Sequence, residues 1–282
     1  MRKNKKPGIV VLYHKYCPDG FGAAWAAWKK FGTRATYIGV NHGEPLPHGI
    51  AGREVYTLDF CYKGALFEEL LSIAKRLIVL DHHITQKSFI VRAHDYRFEM
   101  KHSGAVITWN YFHPKKRISR ALLHIEDQDL WKFTLPFTRE VNAILSTYPF
   151  DFKARDKFIR EFENIKKRKN YIKEGDAILR YQRYVIQSSV DVASLVKFAG
   201  YKVLAANSFT QASEIGNSLV KKHPPFGIVW SERDGRIIVS LRSLKDFDVS
   251  KIAVRFGGGG HPQAAGFSFP VDKKFPWKRI KK

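Results

Sequence analysis

The stretch Lys75-Arg-Leu-Ile-Val-Leu-Asp-His-His83 decides the fold of this 282-residue chain. Its apolar run predicts a buried strand, and Asp81, His82 and His83 follow one another at the end of that strand. A carboxylate and two imidazoles gathered at one place are typical of a site that holds a divalent metal ion.

Two upstream segments repeat this pattern of an apolar strand that ends in a polar residue. The strand from Gly8 to His14 is followed by Asp19, and the strand from Glu54 ends in the carboxylate of Asp59. Such groups would repel one another or be poorly solvated unless a cation lay among them. Imidazole and carboxylate ligands without thiolates favour manganese, iron or magnesium over structural zinc, so the pattern predicts a centre for one or two such ions.

The first half of the chain alternates predicted strands with predicted helices. Helical spacing runs from Gly20 to Gly32 and from about Lys63 to Lys75, and Ala35 to Val40 predicts another strand. Further helices are predicted from Ser103 to Phe112 and from Ser119 to Ile125. The alternation predicts an α/β fold with a parallel sheet, helices on both faces and ligands bound beyond the carboxyl ends of the strands.

The second half differs in pattern. A charged helical stretch runs from Asp151 to about Ser189, and a smaller α+β domain is predicted beyond it. The predicted strands of that domain are Leu195–Ala206, Phe226–Glu232 and Arg236–Arg242, and its predicted helices are Thr210–Lys222 and Phe247–Phe256. We therefore expect a metal-binding catalytic domain over residues 1–150, a helical linker over 151–189 and a substrate-binding domain over 190–282, with the active site in the cleft between the domains.

The composition indicates a basic protein with polyanionic partners. The chain carries 49 Lys and Arg against 26 Asp and Glu, a net charge of +23, which favours nucleic acid, polyphosphate or an acidic membrane face as a partner. Its two cysteines, Cys17 and Cys61, predict packed thiols rather than a disulfide, with a metal-ligating thiolate as the alternative. No apolar run approaches the roughly 20 residues that span a bilayer, so we expect a cytoplasmic protein that binds no membrane.

A run of four glycines, Gly257 to Gly260, forms a second candidate site together with His261. Consecutive glycines let the backbone approach a ligand closely and turn its amides onto an anion. Arg242 ends a predicted strand upstream, and its guanidinium would complete a phosphate pocket. The alternative is that Arg242 is a surface charge and the glycines are a flexible turn.

Three motifs together resemble the DHH phosphoesterase family with its C-terminal DHH-associated domain. They are Asp81-His82-His83, the preceding Pro18-Asp19-Gly20 and the distant Gly257-Gly-Gly-Gly-His261, in the order that the family has them. The likeness covers nearly the whole chain. It implies hydrolysis of phosphodiesters or phosphoanhydrides, commonly with Mn²⁺, although Mg²⁺ or another divalent metal is an alternative.

The resemblance also implies a role for each site residue. In the family, the residue that matches Asp59 bridges two metals, His82 matches a ligand of the second metal, and His83 matches a histidine that lies against the substrate phosphate. The implied metal ligands are His14, Asp19, Asp59, His82 and Asp127, with Asp129 as the alternative to Asp127. The implied catalytic residues are His83 and Asp81. The expected substrate-binding residues are Arg242, Gly258, Gly259, Gly260, His261 and Ser103.

One departure from the family pattern concerns the number of metals. Phe21 stands where the family has a second aspartate, so the second metal would lose a ligand unless His42 or a water replaced it. We expect a metal-dependent exonuclease on short single-stranded oligonucleotides. The alternatives are an exopolyphosphatase, a cyclic-dinucleotide phosphodiesterase, or a nucleic-acid-binding protein whose metal site has decayed; the oligomeric state is left open.

Overall fold

The computed structural model describes residues 8–41 and 43–280, which form two compact units divided between Leu179 and Arg180. His42, the possible substitute ligand, lies outside the described residues. The predicted domain limits at residues 150 and 189 stay predictions. Among the described helices, none combines the length and the apolar character needed to cross a membrane.

The first unit contains a sheet of five strands and the helices that flank it. Its strands are β1 (Ile9–His14), β2 (Ala35–Val40), β3 (Glu54–Leu58), β4 (Arg76–Asp81) and β5 (Asp95–Phe98). Its helices are α1 (Pro18–Phe31), α2 (Gly64–Ile73), α3 (Lys87–Ile90), α4 (Gly104–Phe112), α5 (Arg120–Asp129), α6 (Thr138–Leu145) and α7 (Phe152–Phe162). The long helix α8 (Ile165–Asp191) contains the boundary between the units.

All strands of this sheet are parallel, in the order β2-β1-β3-β4-β5. Successive residues of a strand point to opposite faces, and both faces of β4 are apolar. Leu77 and Val79 join a core with residues of α2 and α3, whereas Ile78 and Leu80 join a core with residues of α1 and α4. The structure therefore confirms the parallel sheet with helices on both faces.

The strand order creates a crevice at one edge of the sheet. The chain runs from β1 outward to β2 and then returns to pair β3 on the other side of β1. Ligands of such sheets bind at this switch point, beyond the carboxyl ends of the two strands. His14 ends β1 and Asp59 directly follows β3, so both lie at the crevice.

The second unit is a smaller α+β fold, as the sequence predicts. Its strands are β6 (Ser194–Phe198), β7 (Tyr201–Asn207), β8 (Phe226–Arg233), β9 (Arg236–Ser243), β10 (Gly259–His261), β11 (Ala264–Pro270) and β12 (Lys278–Arg279), and its helices are α9 (Ala212–Lys222) and α10 (Ser250–Arg255). The sheet has the order β10-β11-β9-β8-β7-β6-β12, and only the pairing of β7 with β8 is parallel among its described strands.

Two details of this unit differ from the sequence-based expectation. The predicted continuous strand Leu195–Ala206 is a hairpin, because Ala199 and Gly200 adopt φ values of 50° and 95° and turn the chain between β6 and β7. Positive φ at both central residues gives the turn that matches the twist of a hairpin. The glycine run is partly a strand: its last two glycines and His261 form β10 at the edge of the sheet.

Candidate functional site

Three carboxylates meet the imidazole of His82 at the carboxyl edge of the parallel sheet. The Nε2 atom of His82 lies 3.2 Å from Oδ1 of Asp59, 3.5 Å from Oδ2 of Asp129 and 3.9 Å from Oδ2 of Asp19. His14 joins them, with its Nδ1 atom 3.5 Å from Oδ2 of Asp59. The structure thus brings together four of the five predicted metal ligands, and Asp129 completes the group.

The carboxylate of Asp59 lies at the middle of this cluster. Its two oxygens face different neighbours, since Oδ1 is next to His82 and Oδ2 is next to His14. The residue is buried and adopts a φ of 54°, a conformation that is uncommon outside glycine and occurs at functional sites. Its amide donates to the carbonyl of Leu80 at 2.9 Å, which ties the turn after β3 to β4.

Asp19 is fixed by the first turn of α4. Its carboxylate accepts hydrogen bonds from the amides of Gly104 (2.6 Å) and Ala105 (3.0 Å), which no residue of α4 could otherwise satisfy. Position 104 requires glycine, because a Cβ there would lie 2.5 Å from the Cβ of Asp59. Sequence reasoning overlooked Gly104, although its place at the start of a predicted helix was a signal. The predicted substrate residue Ser103 is buried, and its hydroxyl lies beside Asp19.

Asp81 orients the two histidines that follow it. Its Oδ1 atom accepts the amides of His82 (2.7 Å) and His83 (3.2 Å) and lies 2.7 Å from Nδ1 of His83. The bond with the fully buried Asp81 raises the pKa of His83 to about 9. This bond therefore favours the protonated form of His83 at neutral pH. The second oxygen of Asp81 is buried and has no hydrogen-bond partner among the described residues.

The cluster holds more negative charge than its own histidines balance. Burial and the charges of Asp59 and Asp129 raise the pKa of Asp19 well above its usual value. Burial and the charge of Asp59 raise the pKa of Asp129 to about 6. Burial also opposes the ionised form of Asp59, but the hydrogen bonds with His14 and His82 outweigh it and lower the pKa of that carboxyl. A bound cation would relieve the repulsion among the three carboxylates.

Asp127, which the family resemblance implies as a metal ligand, lies apart from this cluster. Its carboxylate accepts the amides of Thr134 and Leu135 and the hydroxyls of Thr134 and Thr138. Burial opposes its ionisation, but these bonds lower its pKa to about 2. Asp129, the alternative, faces His82 instead. The helical spacing of α5 is a sequence signal for Asp129. Leu122, Ile125 and Asp129 stand at positions i, i+3 and i+7, which share one face of a helix.

The residues around the cluster explain the roles of Cys17 and Phe21. The sulfur of Cys17 forms a group of candidate metal ligands with His14 and Asp59, and the ligand atoms of this group lie within 4.8 Å of one another. Burial and the nearby Asp59 and Asp19 raise the pKa of the Cys17 thiol, so it is protonated at neutral pH in the absence of a metal ion. Phe21 supplies no ligand, because it packs in an aromatic cluster with its ring 5.0 Å from that of Phe152.

The donor set fits a divalent ion that binds imidazole and carboxylate groups, and Cys17 adds one sulfur to it. Two groups of three donors share no residue, and every ligand atom of each group lies within 4.8 Å of the others. In an octahedral site with metal–ligand bonds of about 2.1 Å, neighbouring ligand atoms lie about 3 Å from one another. The two groups are His14, Cys17 and Asp59, and Asp19, His82 and Asp129.

The predicted phosphate pocket of the second unit is only partly assembled. A cavity of about 490 Å³ is lined by Arg242 on β9 and by Gly257, Gly258 and Gly259. The guanidinium is held in place, since it donates to the carbonyl of Leu241 at 2.9 Å and to Oγ of Ser213 at 2.7 Å. Gly260 and His261 lie on β10 and do not line this cavity, and the side chain of His261 is exposed. The assignments of these residues to substrate stay predictions.

Comparisons with known proteins agree with these features. Residues 200–276 match the DHHA1 domain. The chain is 36% identical over 293 residues to the uncharacterized protein R106 of Acanthamoeba polyphaga mimivirus, covering 94% of this chain and 68% of that protein. A shorter match, 47% identical over 57 residues, covers 20% of this chain and 14% of the oligoribonuclease NrnB of Bacillus subtilis.

A solved structure shows the same fold. The structure is the DHH domain of a member of a family of ribosomal proteins, which superposes with a TM-score of 0.56 at 12% identity over 93% of this chain and 82% of that chain. At this identity the likeness concerns the fold alone. It agrees with a parallel-sheet unit followed by a DHH-associated unit.

Proposed function

Because the chain belongs to the DHH phosphoesterase family, we propose that it is a metal-dependent phosphodiesterase that acts as an exonuclease on short single-stranded oligonucleotides. The observation that carries this proposal is the convergence of imidazoles and carboxylates around His82 at the switch point of the parallel sheet. Such a cluster is suited to hydrolysis of a phosphate ester, because it can hold divalent ions next to an open crevice.

The metal-binding residues would be those that the structure brings together. They are His14, Asp19, Asp59, His82 and Asp129, with manganese as the proposed ion because the donors are imidazole and carboxylate groups. When bound, such ions lower the pKa of a water and stabilise the charge that develops on the phosphoryl oxygens. The buried amides of α4 hold Asp19 in position, and the turn after β3 holds Asp59, so the ligands are fixed before a substrate arrives.

His83 would bind the phosphate of the substrate. Asp81 fixes its ring and keeps it protonated at neutral pH, so the imidazolium can donate a charge-assisted hydrogen bond to a phosphate oxygen. About a third of its side chain is exposed, which leaves it accessible to a ligand. Asp81 is fully buried and would act through His83 rather than on the substrate directly.

The second unit would bind a phosphate through Arg242 and the glycine amides. The guanidinium is preorganised by Leu241 and Ser213, so less entropy is lost when it pairs with an anion. The net charge of +23 attracts either kind of polyanion, and the matched oligoribonuclease segment is the ground for favouring oligonucleotides over inorganic polyphosphate.

Hydrolysis of a defined substrate panel tests the proposal. The purified chain would be incubated with 5′- and 3′-labelled oligonucleotides of two to ten residues, polyphosphate and cyclic dinucleotides, with Mn²⁺, with Mg²⁺ or with EDTA. We expect metal-dependent release of mononucleotides from the shortest chains. Asp59→Asn and His82→Ala should abolish release, whereas the exposed His48→Ala should not. Preferred cleavage of polyphosphate or cyclic dinucleotides, or release that survives His82→Ala, would refute the proposal.

A further inference from the structure

Two exposed aromatic residues follow metal-site residues at the same distance in sequence. Tyr16 lies two residues after His14, and Trp131 lies two residues after Asp129. These two residues are 70% and 78% exposed, although large aromatic residues are usually well buried. Two residues of backbone span no more than about 7 Å, so the backbone of each residue lies close to a residue of the metal cluster. Exposed aromatic rings at such a place indicate contact with a ligand.

The backbone conformation of these residues is also unusual. Tyr16 and Trp131 adopt φ values of 58° and 55°, and Phe133 and Phe137 adopt 48° and 68°. Left-handed conformations are unfavourable for bulky residues and persist only where surrounding structure enforces them. At Trp131 this conformation ends α5, since the amides of Trp131 and Lys132 donate to the carbonyls of Gln128 and Asp127, and it fixes the backbone that carries the ring.

The loop that contains Trp131, here called the aromatic loop (residues 130–137), is fixed by Asp127. The carbonyl of Asp127 accepts the amides of Lys132 (2.9 Å) and Phe133 (3.2 Å). Its carboxylate accepts the amides of Thr134 (2.8 Å) and Leu135 (3.1 Å). An ordered loop presents its rings with little loss of conformational entropy on binding. Asp127 is thereby a positioning residue for the aromatic loop.

Cations accompany the exposed rings. The guanidinium of Arg139 lies 3.9 Å above the centre of the Phe133 ring, and the ammonium of Lys15 lies 4.9 Å from the centre of the Tyr16 ring. Lys132 extends to the carbonyl of Lys101 at 3.1 Å. Aromatic rings interleaved with positive charge are the pattern by which proteins bind single-stranded nucleic acid, with bases on the rings and phosphates on the cations.

We propose that Tyr16 and Trp131 are stacking platforms for bases of a single-stranded oligonucleotide bound at the metal centre. This inference deepens the proposed function and rests on it for the identity of the ligand. It makes the chain selective for substrates that carry bases, because inorganic polyphosphate and base-free sugar phosphates have nothing to stack on the rings. The cations around the rings favour nucleic acid over an apolar protein partner.

Binding in EDTA tests this without any turnover. The affinity of a fluorescein-labelled hexanucleotide and of a hexamer of the same length made of abasic residues would be measured by fluorescence anisotropy. We expect Trp131→Ala and Tyr16→Ala each to weaken binding of the hexanucleotide about tenfold, within the range of one lost base stack, and to leave the abasic hexamer unaffected. Trp131→Phe should retain most of the affinity, and the exposed Tyr96→Ala serves as the control.

The salt dependence gives a second readout that a structural defect would not mimic. Stacking releases no counterions, so Trp131→Ala should lower hexanucleotide affinity at every salt concentration without changing the slope of log K against log salt. Equal affinity of the unaltered protein for the two hexamers, or an equal loss for both in Trp131→Ala, would overturn the inference and point to a protein partner for the rings. If the hexanucleotide binds more tightly than the abasic hexamer but is not hydrolysed in Mn²⁺, the stacking role of Tyr16 and Trp131 stands and the proposed function is wrong.

Discussion

Replacing Gly104 by alanine should damage the metal centre although it adds a single methyl group. The added Cβ would lie 2.5 Å from the Cβ of Asp59 and 3.0 Å from Oδ2 of Asp19. Carbon atoms in contact prefer separations of about 3.5–4.0 Å, so the gap between α4 and Asp59 must widen by about 1 Å. Because the amide of Gly104 also binds Asp19, the same movement shifts two carboxylates of the cluster at once.

This displacement allows two magnitudes to be estimated. A misplacement of about 1 Å in a catalytic arrangement lowers turnover about 100-fold. Overpacking of a filled site costs about 1–3 kcal/mol of unfolding free energy, and about 1 kcal/mol lowers Tm by about 2–4 °C in a unit of this size. We therefore expect Gly104→Ala to lose most of its activity while it remains folded at room temperature.

The assay compares Gly104→Ala with Gly8→Ala, where an added Cβ meets no atom within 4 Å. Turnover of a short oligonucleotide in Mn²⁺, Mn²⁺ affinity by isothermal titration calorimetry, and Tm would be measured for both variants. Gly104→Ala should lose metal affinity and turnover, and Gly8→Ala should match the unaltered chain. Normal metal affinity and turnover in Gly104→Ala would refute the placement of Asp19 and Asp59 in one centre.

Three further predictions concern the ligand choice, the pH dependence and the second unit. By titration calorimetry, Asp129→Asn should weaken Mn²⁺ binding at least tenfold, and Asp127→Asn should leave it unchanged; the reverse result would restore Asp127 as a ligand. Burial lowers the pKa of His124 from 6.5 to about 4. As the pH falls, His124 is therefore protonated in the unfolded chain before it is protonated in the folded chain. The free energy of unfolding is highest above about pH 6.5 and declines as the pH falls towards 4. The loss is about 3 kcal/mol at most, and His124→Phe should show a smaller decline of Tm between these pH values. Arg242→Ala should raise KM for oligonucleotides about tenfold or more while the exposed Arg233→Ala leaves it unchanged, and a loss confined to kcat would contradict a role in substrate capture.

The strand ends of the first unit could be predicted from sequence because each depends on a local pattern. Apolar runs that end in His14, Asp59 or Asp81 mark strands, and parallel strands place their carboxyl ends at one edge of a sheet. Strand order was not needed for this step, so the structure brings these residues together as expected. The same local patterns predicted both α9 and α10 of the second unit to within a few residues.

Two of the features that sequence reasoning did not resolve depend on contacts between distant segments, and a third is a local turn. Asp127 and Asp129 lie two positions apart on α5, about 200° around the helix, and the packing of α5 brings Asp129 to His82. The hairpin at Ala199 was hidden because alanine is a poor indicator of positive φ. The need for glycine at position 104 arises from Asp59, which is 45 residues away in the chain.

Phe21 bears on the number of ions that the centre holds. Its ring packs against Phe150 and Phe152, and the guanidinium of Arg155 lies 5.7 Å from its centre, so this position is part of the packing between α1 and the segment that leads into α7. An aspartate here would bury a charge among aromatic rings, which costs free energy. The absence of the ligand that the family resemblance implies at position 21 need not remove an ion, because the two oxygens of Asp59 face His14 on one side and His82 on the other. A carboxylate whose two oxygens face donors on opposite sides is suited to a centre of two ions. On the His82 side, Asp19 and Asp129 are the further donors, so the group there keeps three candidate ligand residues without any contribution from position 21.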